Sequence, residues 1–286
     1  MYPFRKILLP VDYSEPCQAV LPYVHEMVRR FDAGLTLVHA YGLEAISYSR
    51  LPVADPTLIE DVNVSEDKRL REYGAEAFPN QHVEVVAELG EPGSVVHKVV
   101  QHQGTDLVML ATHGRGPIRR LLLGSVAAKV LHDVSAAVWT GTGSALAGHE
   151  PRIPYRSILC AVDDSDETQS LLKAAAAFAH TYEAELSLVQ VMETPAPALE
   201  NNFQPYRRDI VKAAEARLRD VKDQLGIDAV HEVIDGPVAD GVRQQAIRRK
   251  ADLIITGRGH AQDEFSRLWS HLYSIIRESP CPVLSI

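Results

Sequence analysis

Cysteine is scarce, with three residues in a chain of 286, at Cys17, Cys160 and Cys281. An odd, widely spaced set with no CxxC pair excludes a disulfide framework and a thiolate zinc site. The thiols are expected as small buried hydrophobes. Long apolar runs are missing too. The stretch MYPFRKILLPVD is too short in its apolar part for a signal sequence or a bilayer span, and no later segment is long enough either. A cytoplasmic protein without membrane association is the expectation. Positive charge is in deficit, with 29 Lys and Arg against 38 Asp and Glu, which argues against a general affinity for nucleic acid. Any anion must be met by a local basic cluster.

Several chemical signatures are also absent. There is no Gly-Lys-[Ser/Thr] phosphate loop, no GxGxxG fingerprint, no GxSxG elbow and no HExxH or HxxxH pair. The acids Asp163, Asp164, Asp166 and Glu167 crowd together, but at a strand end and helix start they read as capping and dipole compensation rather than a cation site.

What is present is a repeat. ILLPVD (Ile7 to Asp12) returns as ILCAVD (Ile158 to Asp163), followed in both cases by a serine, Ser14 or Ser165. LTLVHA (Leu35 to Ala40) returns as LSLVQV (Leu186 to Val191). Such self-similarity marks a tandem duplication, with domains at 1–143 and 154–286 joined by a Gly-, Ser-, Ala- and Pro-rich link over 141–154.

In each copy short β-rich runs alternate with segments of helical period, the pattern of a parallel sheet covered by helices on both faces. The first copy predicts strands near Lys6–Pro10, Gly34–Ala40, Val83–Glu88, Leu107–Ala111 and Ala137–Thr140. Helices are expected at about Glu15–Phe31, Asp61–Ala77, Pro92–Gln103 and Ser125–Asp133. Ser14 followed by Glu15 and Pro16 is a helix start, and Ser165, Asp166 and Glu167 are expected to do the same. Irregular insertions are expected from Gly42 to about Glu60 and from Glu193 to about Pro205, placed to lie over the strand ends as lids.

The most telling segment is DLVMLATHGRGPIRRLLLGS, Asp106 to Ser125. A buried strand runs into a basic, glycine-punctuated loop that ends where a helix begins at a residue without a side chain. Free amides and the positive end of a helix dipole suit a phosphate, and Arg115, Arg119, Arg120 and the Ser125 hydroxyl add donors. In open parallel sheets ligands sit beyond the carboxyl ends of the strands, where Asp12 and the loop from Thr112 both fall. The second copy, DLIITGRGHAQDEFSRLWS, is worn: Trp269 stands where the first has Gly124. An indole there would fill the space that a phosphate needs.

These residues make the chain resemble a tandem universal stress protein. That family's signature is Gly-x2-Gly-x9-Gly-[Ser/Thr], and Ala111, Gly114, Gly124 and Ser125 occupy its fixed positions, only the first departing. The resemblance implies an α/β fold of two tandem Rossmann-like domains of the adenine nucleotide alpha hydrolase type, each a five-stranded parallel sheet. It also implies ATP binding in the first domain, with any Mg2+ arriving on the nucleotide. Asp12 with Pro10 and Val11 would contact the adenosine end, bordered by Ala40 and Leu110. His113, Gly114, Arg115, Gly124, Ser125, Val126 and Ala127 would surround the phosphates, and Ala111 would narrow the site by one methyl. No residue stands out as a general base, so the enzyme expectation goes no further than slow ATP hydrolysis. A homodimer is compatible with the resemblance. The competing reading is a tandem scaffold that binds no nucleotide and presents surfaces to partners.

Overall fold

The computed structural model describes residues 3–42, 56–112, 123–141, 151–193, 204–258 and 267–286. The chain divides into two compact units, Pro3–Ala147 and Gly148–Ile286.

In the first unit, β1 (Lys6–Pro10), β2 (Gly34–Tyr41), β3 (Val83–Leu89), β4 (Leu107–Ala111) and β5 (Ala137–Gly141) alternate with α1 (Glu15–Phe31), α2 (Pro56–Ala77), α3 (Pro92–Gln103) and α4 (Ser125–Asp133). The sheet is parallel and runs β3-β2-β1-β4-β5. The chain order therefore reverses between β1 and β4, where an open sheet leaves a crevice beyond its carboxyl edge. The middle of β1 and all of β4 but its last residue are buried, as strands covered on both faces must be. Phe4 packs edge-on against Phe31 at 5.4 Å, and Tyr23 lies 4.9 Å from Trp139.

The second unit repeats the plan with β6 (Ser157–Val162), α5 (Thr168–Tyr182), β7 (Glu185–Met192), α6 (Gln204–Gln224), β8 (Val230–Asp235), α7 (Val238–Arg248), β9 (Leu253–Thr256), α8 (Arg267–Glu278) and β10 (Val283–Ser285). Its strands lie in the order β8-β7-β6-β9-β10, again parallel. Helices cover both faces of the sheet in this α/β architecture.

The duplication extends to individual hydrogen bonds. The Asp106 Oδ2 accepts the amides of Arg5 at 2.8 Å and Lys6 at 3.0 Å. Asp252 Oδ2 accepts those of Arg156 at 2.9 Å and Ser157 at 3.1 Å. One carboxylate thus ties the head of the fourth strand to that of the first in each unit. The first helix of each unit also ends on a non-glycine residue in the left-handed region, Asp32 at φ 49° and Glu183 at φ 52°.

Three local expectations change. α2 begins at Pro56, so the helix reaches into the segment expected as an irregular insertion. A proline lacks only a donor that the first turn leaves unused, so it starts a helix as readily as it breaks one. α6 likewise takes in Pro205 in its first turn. Residues 43–55 and 194–203, where lids are expected, lie outside the described residues.

The start of α5 is the third change. Ser14 caps α1 as expected, its hydroxyl accepting from the Cys17 amide at 3.3 Å. Ser165 does not cap α5: its hydroxyl donates to Asp163 Oδ1 at 2.6 Å, its carbonyl accepts the Thr168 amide at 3.2 Å in a turn, and the helix starts only at Thr168. The turn uses up the residues between Ser165 and Thr168 before the helix begins, so the serine lies too far ahead of it to serve as its cap.

All three cysteines are free and buried. Burial pushes the thiol of Cys17 up to about 11 and those of Cys160 and Cys281 to about 12. No helix among the described residues is long and apolar enough to cross a membrane.

Candidate functional site

At the carboxyl edge of the first sheet, β1 delivers Pro10, Val11 and Asp12 in succession. The Val11 amide donates to the Val38 carbonyl at 2.8 Å, which carries β1–β2 pairing one residue past the strand. Asp12 is half-buried, and its Oδ1 accepts the Ser14 amide at 2.9 Å. That bond closes a tight turn in which Tyr13 takes φ 58°. The left-handed region is unfavourable for a bulky side chain, so neighbouring contacts must hold Tyr13 there. Its ring lies 4.8 Å from His39 and meets Tyr73 edge-on at 5.3 Å, while the Arg69 guanidinium carbon stands 4.1 Å over it. His39 Nδ1 approaches the Val11 carbonyl at 2.7 Å. A carbonyl can only accept, so this nitrogen carries the proton. Nε2 then faces Glu66 at 3.7 Å.

Sequence reading misses this ring cluster. The signal is faint: His39 and Tyr13 are 26 positions apart, and only the pairing of β1 with β2 brings them together.

Leu110 is buried and Ala40 half-buried, each near the carboxyl end of its strand. Ala111 ends β4, paired in register with Gly141. The following Thr112 is buried and anchors the loop at both ends. Its amide donates to the Gly141 carbonyl at 2.9 Å, its hydroxyl donates to the same oxygen at 3.2 Å, and its own carbonyl accepts the Gly124 amide at 2.8 Å. Loop exit and loop return are thereby pinned together.

Gly124 is the cap of α4 at φ −59° and ψ 147°, and among the described residues no side chain caps that helix end. Any residue can adopt this conformation, so a need for backbone freedom does not explain the glycine. What a glycine contributes here is the lack of a side chain beside the first amides, those of Ser125, Val126 and Ala127. Ser125 is exposed, Val126 half-buried and Ala127 buried in the core. His113, Gly114 and Arg115, with Arg119 and Arg120, lie outside the described residues.

The second unit preserves the scaffold and changes the chemistry. Asp163 follows β6 as Asp12 follows β1, with Oδ1 accepting the Ser165 amide at 3.2 Å. Arg258 replaces Thr112 and keeps the backbone clamp, its amide donating to the Ile286 carbonyl at 3.1 Å. Burial pushes its guanidinium down to about 10, with the Glu167 charge partly offsetting that penalty.

The larger difference is in the helix. α8 begins at Arg267, three residues before Ser270, the counterpart of Ser125. Only the first turn of a helix has unpaired amides, so those of Ser270 and His271 are spent inside the ladder. The side chain of Trp269 lies outside the described residues, and the phosphate-type end is lost through the backbone whatever the indole does.

Comparison with known proteins agrees with this architecture. The family model described as the universal stress protein family matches residues 3–140 and again 154–286. A Staphylococcus haemolyticus protein named for that family is 27% identical over 141 residues, 48% of this chain and 84% of its own. A Staphylococcus aureus protein of the same name group, from strain USA300, is 28% identical over 142 residues, 48% of this chain and 84% of its own. Among solved structures, a universal stress protein from Archaeoglobus fulgidus superposes with TM-score 0.67 at 19% identity, covering 98% of this chain and 95% of that one. A protein of unknown function from Pseudomonas aeruginosa PAO1 superposes equally well, TM-score 0.67 at 15% identity, over 99% and 92%. At such identities the superpositions speak for the fold alone. The sequence match over both units, together with the repeated sheet, makes this chain a tandem member of the universal stress protein family.

Proposed function

We propose that the first unit binds ATP and that the protein acts as a nucleotide-dependent stress or signalling protein with one competent site. The observation that carries this reading is the start of α4: a glycine cap with no side-chain bond, tied to Thr112 beside the carboxyl end of β4. Uncapped amides at a helix start attract an anion, and Asp12 stands across the chain-order switch from them. Pro10, Val11, Ala40 and Leu110 border the adenosine end, and Ala111 leads into the loop. His113, Gly114 and Arg115 complete the phosphate side with Gly124, Ser125, Val126 and Ala127. Mg2+ enters with the nucleotide, whose phosphates supply its oxygen ligands. Among the described residues no group is set up as a fast general base, so binding outranks hydrolysis.

In the second unit the corresponding amides are consumed by α8, and that unit takes no triphosphate. Equilibrium binding of ATP to the purified chain tests the proposal. Gly124→Trp, which copies the second unit, should abolish binding, while Trp269→Ala should leave it nearly unchanged. Full affinity in the Gly124→Trp chain refutes the site.

A further inference from the structure

The second unit has a cavity of about 230 Å3 at the carboxyl edge of β6, β7 and β9, lined also by α7 and α8. Val189 and Val191 of β7, Val242 of α7 and Ile275 of α8 give it aliphatic walls, and Asp163, Glu193 and Arg258 line it just past the strand ends. These charges do not cancel. The Arg258 guanidinium is engaged within the protein and lies under the charge of Glu167. Asp163 Oδ1 accepts from Ser165 and Thr168, neutral donors that leave the carboxylate its charge, and its Oδ2 has no bond among the described residues. Glu193 lies 3.9 Å from His271, which is a cation only when protonated. With Arg258 set against Glu167, the lining keeps two carboxylates and, among the described residues, no permanent cation to match them.

The first unit differs at these positions. The strand registers align Ile158 with Ile7 and Leu186 with Leu35, so Val191 stands at the place of Ala40 and Glu193 at that of Gly42. The wall is more apolar and the rim more acidic in the second unit.

Such a lining selects an occupant. An anion meets two carboxylates, and a zwitterion brings a carboxylate to a guanidinium that already has a partner. An uncharged apolar molecule strips water from both acids and returns nothing, which is costly for charges. An ammonium joined to an apolar body meets the acids and the walls together. Size agrees, since a cavity of about 150 Å3 holds benzene and the larger space here takes a branched aliphatic or single-ring group with a short stem. A phosphate chain is disfavoured, because the amides that would receive it lie within α8.

We propose that the second unit binds an apolar primary amine as its ammonium ion, the charge held by Asp163 and Glu193 and the body packed against Val189, Val191, Val242 and Ile275. This site lies in the second unit and does not rest on the ATP reading of the first.

Calorimetric titration of the full chain with isoamylamine and phenethylamine tests it, with isoamyl alcohol, phenethyl alcohol, isocaproate and L-leucine as comparisons. At least one amine should bind, and its alcohol should bind about tenfold more weakly or worse, as the loss of a charge-assisted contact predicts. Isocaproate and leucine should be weaker than the amines. Asp163→Asn should lower amine affinity by about tenfold, the more exposed Glu193→Gln by a smaller factor, and Val242→Phe, which fills the space, should abolish binding. The proposal is overturned if neither amine binds, if the alcohols bind as tightly as the amines, or if isocaproate or leucine binds more tightly. Full amine affinity in the Val242→Phe chain also overturns it. The comparison series uses the unaltered chain, so it decides the question even where a variant fails to fold.

Discussion

Replacing Gly124 with Asp should make the protein more stable and worse at holding ATP. The cap conformation, φ −59° and ψ 147°, suits an aspartate, and no described side chain caps the first amides of α4. A carboxylate at the cap would accept from the Val126 or Ala127 amide. Asp exceeds Gly as a cap by about 0.3 kcal/mol, and a negative charge at a helix start adds about 0.3–1 kcal/mol. For a unit of this size the sum, about 0.6–1.3 kcal/mol, raises the melting temperature by roughly 2–5 °C. The same carboxylate takes amides that a phosphate would use and repels it. Two charge-assisted hydrogen bonds at about 1.5 kcal/mol each correspond to about a hundredfold weaker ATP binding. Scanning calorimetry without ligand and ATP titration on the same preparation give both numbers. Unchanged ATP affinity would show that the phosphates are not at α4. A lower melting temperature would show that the chain already satisfies those amides.

Two further outcomes follow from packing and burial. A Cβ built on Gly241 would stand 2.9 Å from both methyl carbons of Val191, so Gly241→Ala should lower stability by about 1–2 kcal/mol despite better helix propensity. Val191→Ala should offset much of that loss in the double variant, and a urea double-mutant cycle measures the coupling; purely additive effects would refute the contact. The buried thiols of Cys17, Cys160 and Cys281, at about 11, 12 and 12 when folded, ionise at lower pH once unfolded. Their contribution is therefore complete below about pH 9 and is lost as pH rises toward 12, so the urea midpoint should fall across that range. A chain with all three replaced by Ala should show a shallower fall, and identical pH profiles would sink the assignment.

Most of the fold is readable because strands buried on both faces leave unbroken apolar runs. Lys6–Pro10 and Leu107–Ala111 fall where the runs do. Helix starts are harder, since they depend on competition for a few hydrogen bonds. Ser14 stands directly before its helix and caps it, while Ser165 falls in a turn that delays the helix to Thr168, and a serine in isolation does not reveal which will happen. Pro56 reads as part of an irregular insertion and serves as the first residue of a helix. On the candidate site, Asp12 and Gly124 are expected from their places at a strand end and a helix start and Leu110 from the family resemblance, whereas Tyr13 at φ 58° and its stack with His39 and Arg69 need the strands to be paired first. The importance of Thr112 is hidden for the same reason, since its partners in the loop clamp are backbone atoms distant in sequence.

The two units share a scaffold and differ at the start of their last helix. Asp12 and Asp163 both accept the amide two residues on, and Thr112 and Arg258 make the same backbone bond to the neighbouring strand. These features serve folding, so they persist whether or not a ligand binds. The start of the last helix does not serve folding in the same way. An earlier start, at Arg267, pairs more amides and should be the more stable arrangement. Ending the loop at an uncapped Gly124 forgoes that gain. On the proposed reading, the less stable start is kept in the first unit because its amides serve an anion, the partner that such a helix end favours.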